Sequence, residues 1–179
     1  MEQAGINFFK IADFDAARRI GKGEPDNSKE NWNWLNRAPE LIKPLPAGSR
    51  ALDPPGYPVD WYSLGVVLFN MSEEILPFDN STPDLKIRSI LRGFTPPSGW
   101  ILNQGPFTVL VTALLQVEAA KRLGSIIGAI EIKNHPFFKC INEVNGWIDL
   151  ESGNAESIST MCSKPYPEGS QEACCDPNA

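Results

Sequence analysis

Between Pro58 and Met71 the stretch PVDWYSLGVVLFNM carries apolar residues at Val59, Trp61, Tyr62, Leu64, Val66, Val67, Leu68, Phe69 and Met71, leaving no continuous polar face. A helix apolar on all sides is a buried one. The run is about a dozen residues, well short of the roughly 20 needed to cross a bilayer. The pattern therefore predicts a central core helix with Asp60 as its N-cap. The Val66-Val67 pair also suits a buried strand, but the length and the capping carboxylate favour helix. Upstream, Ile6 to Phe14 (INFFKIADF) reads as a strand running into a turn at Asp13-Phe14-Asp15. The polar stretch from Ile20 to Asn36, broken by Gly21, Gly23 and Pro25, predicts a long loop. Ala38-Pro39-Glu40-Leu41 begins a short helical turn, and Pro44, Pro46, Pro54, Pro55 and Pro58 make a connector that cannot be regular structure.

Beyond the central helix, Ser81 to Gly93 reads as a helix in which Thr82 caps, Pro83 takes the first position and Gly93 stops the run. Leu85, Ile90 and Leu91 are expected to face inward, with Lys86, Arg88 and Arg92 forming a basic outer face. Val109, Leu110, Val111, Leu114 and Leu115 mark another buried helix over Phe107 to Val117. Glu118 to Gly124 is a charged corner, and Ile126 to Phe138 is expected as the last helix, ending at His135-Pro136-Phe137-Phe138. His135, the one histidine of the chain, reads as a packing or capping residue. From Asn145 to Ala179 the apolar pattern gives way to Ser, Glu, Gly and Pro, a composition that predicts a disordered tail after a folded region of residues 1–144.

Composition adds constraints. The chain has 179 residues, 42% of them hydrophobic, which suits one globular domain. The net charge of −6 falls largely near the end of the chain, where Glu151, Glu156, Glu168, Glu172 and Asp176 face one Lys164. Nothing in this balance attracts nucleic acid. The first residues hold no basic stretch followed by an apolar one, so a cytoplasmic or nuclear location is expected. Cys140, Cys162, Cys174 and Cys175 lack metal-type spacing and are expected as reduced thiols. Gly21 and Gly23 start like a phosphate-binding loop, but Asp26 stands where a third glycine belongs. On its own, Asp13 is a turn-forming carboxylate.

Four motifs, in order, carry a resemblance. Lys10-Ile11-Ala12-Asp13-Phe14-Asp15 resembles the magnesium-loop motif of eukaryotic protein kinases, and Ala38-Pro39-Glu40 is similar to the end of the kinase activation segment. Val59-Asp60-Trp61-Tyr62-Ser63-Leu64-Gly65-Val66 resembles the helix that anchors the kinase large lobe. Lys121-Arg122-Leu123-Gly124, followed by Glu131 to Phe138, is similar to that lobe's final helices, most closely those of the AGC group of serine/threonine kinases. The resemblance covers Ile6 to about Phe138. It implies a mainly α fold, a kinase-like large lobe only, with a short N-terminal β segment and with the small lobe and catalytic loop missing.

The family's ATP site also needs a glycine-rich loop, a strand lysine, a helix glutamate and a catalytic loop bearing a base Asp and a metal-binding Asn. None is placed in these residues, and only twelve residues precede Asp13. The resemblance thus implies no catalytic residue, no nucleotide-binding residue and no cofactor for this chain; Mg-ATP is implied by the family alone, with Asp13 as a vestigial magnesium candidate. The family's glycine after the magnesium-loop Phe is Asp15 here, and Trp32 to Arg37 does not match the substrate-loop pattern of AGC kinases. Ser28 is the one hydroxyl residue between Asp13 and Glu40 and so the one candidate phosphosite there. The resemblance further implies a buried ion pair between Glu40 and Arg122, and leaves Asp60 only a capping role. In kinases a long helix preceding the catalytic loop packs on the central helix, and no segment before Asp13 could form it. One apolar stripe of Pro58 to Met71, or the core residues beside it, should then lack cover, so a protein partner or self-association over an exposed apolar face is expected, with no nucleic acid and no membrane. The leading expectation is a pseudokinase-like interaction or regulatory module. The alternative is an incomplete product of an active AGC-like serine/threonine kinase.

Overall fold

Proline sets the first residue of each long helix. In the computed structural model, which describes residues 11, 12, 14, 17, 36–42, 57–78, 81–97, 105–142 and 146–152, α1 spans Pro58–Glu73, α2 spans Pro83–Arg92 and α3 spans Pro106–Leu114. At the first helical position the missing proline N–H costs nothing and the fixed φ is already helical. Shorter helices follow: α4 (Ala129–Lys133), α5 (Lys139–Asn142) and α6 (Gly146–Ser152). Single 3-10 turns cover Pro39–Leu41, Ala119–Lys121 and Pro136–Phe138. The architecture is helical, with no strand among the described residues. Most of the expected strand at residues 6–14 lies outside them. Ile11 and Ala12 have no regular structure, and Phe14 sits in a 3-10 turn closed by the Ala17 N–H donating to the Phe14 carbonyl at 2.9 Å.

The chain divides into two units, residues 14–132 and residues 1–13 with 133–179. In the first, α1 packs along α3. Gly65 permits the approach, because a Cβ there would stand 2.9 Å from that of Leu114. Tyr62, Val66 and Phe69 of α1 are buried with Phe78, Ile90, Val111 and Leu115. Phe69 and Phe94 meet edge to face at 5.3 Å, and Phe78 and Phe94 at 6.4 Å, a geometry that suits the ring quadrupoles. α1 ends at Glu74, whose left-handed φ of 57° lets its N–H donate to the Asn70 carbonyl.

Several expectations are corrected. Asp60 is not the N-cap: Pro58 starts the helix earlier, Tyr57 takes the cap position without a side-chain bond, and Asp60 lies exposed within the first turn. There its charge still favours the positive end of the helix dipole. Thr82 caps α2 as read, accepting from the Leu85 N–H at 3.2 Å, but the inward face is rotated. Lys86 is buried with Ile90, whereas Leu85 is exposed. Burial lowers the pKa of Lys86, as expected for an ammonium drawn from water. Val109 on α3 is also exposed. Ile126 to Phe138 is not one helix: turns run to Gly128, whose φ is 70°, before the short α4 and the 3-10 turn at Pro136.

In the second unit Lys133 pairs with Glu151 at 2.5 Å and lies over the Trp147 ring at 5.2 Å. The Trp147 indole N–H donates to Asn142 Oδ1 at 2.7 Å, and Phe138 meets the same ring at 5.2 Å. His135 caps the 3-10 turn, its Nδ1 accepting from the Phe137 N–H at 3.2 Å, and burial lowers its pKa. Helix α6 thus occupies the beginning of the stretch expected as a tail, with Trp147 as an apolar anchor; residues 153–179 lie outside the described residues.

Candidate functional site

A highly connected side chain among the described residues of the first unit is Arg122, which follows the 3-10 turn Ala119–Lys121 and is 1% exposed. Its Nη1 donates to Glu40 Oε1 at 2.7 Å and to the Pro58 carbonyl at 2.6 Å. Its Nη2 donates to Glu40 Oε2 at 2.9 Å and, with Nε, to the Gln116 carbonyl at 3.0 and 3.2 Å. One guanidinium therefore ties three pieces of chain: the turn at Pro39–Leu41, the first residue of α1 and the stretch after α3. The bidentate fork matches a carboxylate as no lysine could. Every bond here is one that a buried charge requires if it is not to be an outright cost.

Tyr62 forms the floor. Its ring stacks on Phe78 at 6.2 Å with an interplanar angle of 6°, and the Arg122 guanidinium lies 5.0 Å from its centroid. Its buried hydroxyl has no hydrogen-bond partner among the described residues. Burial raises its pKa far above the usual 10.0, with the Arg122 cation opposing and the Glu40 carboxylate adding. A buried unpaired hydroxyl costs about 1–3 kcal/mol. Tyr62→Phe is accordingly expected to leave stability unchanged or raise it by up to about 2 kcal/mol. Urea unfolding is the check, and a loss above about 1 kcal/mol would show that the hydroxyl is bonded after all.

The corner after Arg122 is held from two sides. The Trp61 indole N–H donates to the Gly124 carbonyl at 3.0 Å. Glu131 Oε2 accepts from the Gly124 N–H at 2.9 Å, while Oε1 accepts from Ile126 at 2.9 Å and Ile127 at 2.5 Å. The bonds from Ile127 and Gly124 hold the Glu131 carboxyl below its usual pKa. Ser63 Oγ adds a further link, donating to the Asn36 carbonyl at 2.9 Å.

Of the residues singled out from sequence, the structure brings Glu40 and Arg122 together and leaves Asp60 exposed. Asp13 and Ser28 lie outside the described residues. No group of His, Cys, Asp or Glu able to hold a metal occurs among the described residues, and no helix there is long and apolar enough to cross a membrane. Sequence reading missed Tyr62 as the floor, the carbonyls of Pro58 and Gln116, and the Glu131 bonds. Of this corner, the sequence offered only the charged run from Glu118 to Gly124 and, through the family resemblance, the Glu40–Arg122 pair.

A helical lobe centred on one apolar helix and fastened by a buried arginine–glutamate fork is the frame that the sequence motifs implied. The protein kinase domain family matches residues 2–138, and the chain belongs to the protein kinase family. It is 39% identical over 94 residues to the probable serine/threonine protein kinase IRE4 of Arabidopsis thaliana, covering 50% of this chain and 9% of that protein. It is 37% identical over 94 residues to the protein kinase PINOID of Oryza sativa, covering 49% of this chain and 19% of the relative. With the serine/threonine-protein kinase RIM15 of Saccharomyces cerevisiae it shares 32% identity over 144 residues, 76% of this chain and 8% of the other. The chain thus spans less than a fifth of the length of each.

Proposed function

We propose that this chain is an interaction or regulatory module built on a serine/threonine kinase large lobe, without phosphotransfer of its own. The observation that carries the reading is on α1, whose Tyr62, Val66 and Phe69 are buried while Val67 and Met71, one turn apart, are 42% and 73% exposed. Ile75, just past the helix, is exposed as well. Apolar side chains left open on a core helix suit contact with another protein or a second copy of the chain. On this reading no residue of the chain is catalytic, no cofactor is held, and the module works in the cytoplasm or nucleus. Asp13 is at most a loose magnesium ligand, and Ser28 is the phosphosite candidate.

The alternative is that these residues belong to an active AGC-like serine/threonine kinase; the similarity to the serine/threonine-protein kinase RIM15 supports the serine/threonine part of that reading. There Asp13 would meet Mg-ATP together with groups from the rest of the domain. Titration of the purified chain with ATP and Mg²⁺, followed by thermal unfolding, tests the proposal. No nucleotide-dependent rise in melting temperature is expected, and a clear rise would refute it. A longer transcript encoding an upstream His-Arg-Asp motif in frame would favour the alternative.

A further inference from the structure

We infer that Glu131 is the positioning residue for the Arg122–Glu40 pair, acting through the turn at residues 124–127 and the Trp61 indole. The turn has no regular structure, and its apolar side chains do little to hold it: Ile126 is 84% exposed and Ile127 59% exposed. Burial of apolar surface, the usual restraint on such a segment, is thus mostly missing. Beside the two bonds of Ser125, to Arg122 and Ala119, and that of Trp61 to Gly124, what restrains it is the Glu131 carboxylate, which accepts from three backbone N–H groups within four residues. Charge-assisted bonds of this kind are the strong ones.

The restraint reaches Arg122 by two routes. Gly124, gripped at its N–H by Glu131, accepts the Trp61 indole N–H at its carbonyl, which fixes this corner against α1. The Ser125 N–H donates to the Arg122 carbonyl at 3.1 Å, and Ser125 Oγ bonds the Ala119 carbonyl, so the backbone on both sides of Arg122 is tied to the same turn. The fork to Glu40 requires two nitrogens and two oxygens in register, and a displacement of about 1 Å would break it. Two cations near Glu131 in sequence are engaged elsewhere, Lys121 with Glu118 and Lys133 with Glu151. The backbone bonds are thus the carboxylate's partners.

The test is a double-mutant cycle in the full chain between Glu131→Gln and Glu40→Gln, read as unfolding equilibrium constants, with Lys121→Ala in place of Glu131→Gln as the control. Coupling through the turn makes the double variant fall short of the product of the single effects by about tenfold, while the control pair multiplies. Effects that multiply to within about twofold for Glu131 and Glu40 would overturn the inference. Should Glu40→Gln fail to fold, the indole N–H resonance of Trp61 decides, assigned by its loss in Trp61→Phe. The inference requires it to move toward the free-indole position in Glu131→Ala and to return partway in Glu131→Gln. An unmoved resonance in Glu131→Ala would refute it, since a carboxylate that merely added stability would leave the Trp61 bond in place.

Discussion

Replacing Arg122 by alanine is expected to cost about 3–5 kcal/mol, a large part of the roughly 5–15 kcal/mol that holds an ordinary domain together. The substitution removes five hydrogen bonds at once and leaves the Glu40 carboxylate and two carbonyls to find water or nothing. Glu40→Ala is expected to lose a similar amount for the opposite reason, since it strands a guanidinium that is 1% exposed. Because each single change already destroys the pair, the double variant should lose clearly less than the sum. A denaturant series on the four proteins checks this, and additive losses would mean that the two residues do not meet in solution.

Gly124→Ala is the second large effect expected, about 3 kcal/mol or more. Two penalties coincide at this position. Its φ of 91° lies where side chains are strained, and an added Cβ would stand 2.7 Å from the Trp61 ring. The ring cannot retreat without giving up its bond to the Gly124 carbonyl. Gly128 separates the two penalties, because it too has a positive φ, 70°, but nothing lies within 4 Å of its Cβ position. Gly128→Ala should therefore cost only the backbone strain, about 1 kcal/mol. Equal losses at the two glycines, compared by thermal or urea unfolding, would show that the contact with Trp61 contributes nothing.

Local chemistry was legible where one residue decides an outcome by itself. Thr82, Pro83 and Gly93 bound α2 as read, since capping, first-position proline and a positive φ at the stop each act within a few residues. The orientation of that helix was not legible. Lys86 was read as outward because it is charged, yet from Ile90 a step of four residues returns to the same face, and Ile90 is buried. Asp60 misled for a related reason: a carboxylate near a helix start suggests a cap, but Pro58 sets the start two residues earlier. The single helix expected over Ile126 to Phe138 does not form, since Ile126, Ile127 and Ile130 are exposed and Gly128 turns the chain between them.

The site itself was legible only through likeness to a family. Nothing between Glu40 and Arg122 in sequence announces that they meet across 82 positions, and the Trp61 bond to Gly124 spans 63. Contacts of such separation are set by how helices pack, and neither periodicity nor composition encodes the partner. The Glu131 bonds are local, within seven residues, yet a glutamate in a short helix ordinarily reads as solvated surface.

The central claim, that α1 presents an apolar stripe requiring cover from outside the chain, is tested most directly by light scattering on the purified protein with a dye that reports exposed apolar surface. The account predicts a self-associated species, or a loosely packed monomer that binds the dye and tightens only with a partner. It predicts further that charged substitutions at Val67 and Met71 suppress association without removing the buried core of α1. A monodisperse monomer that unfolds cooperatively and binds no dye would contradict the account.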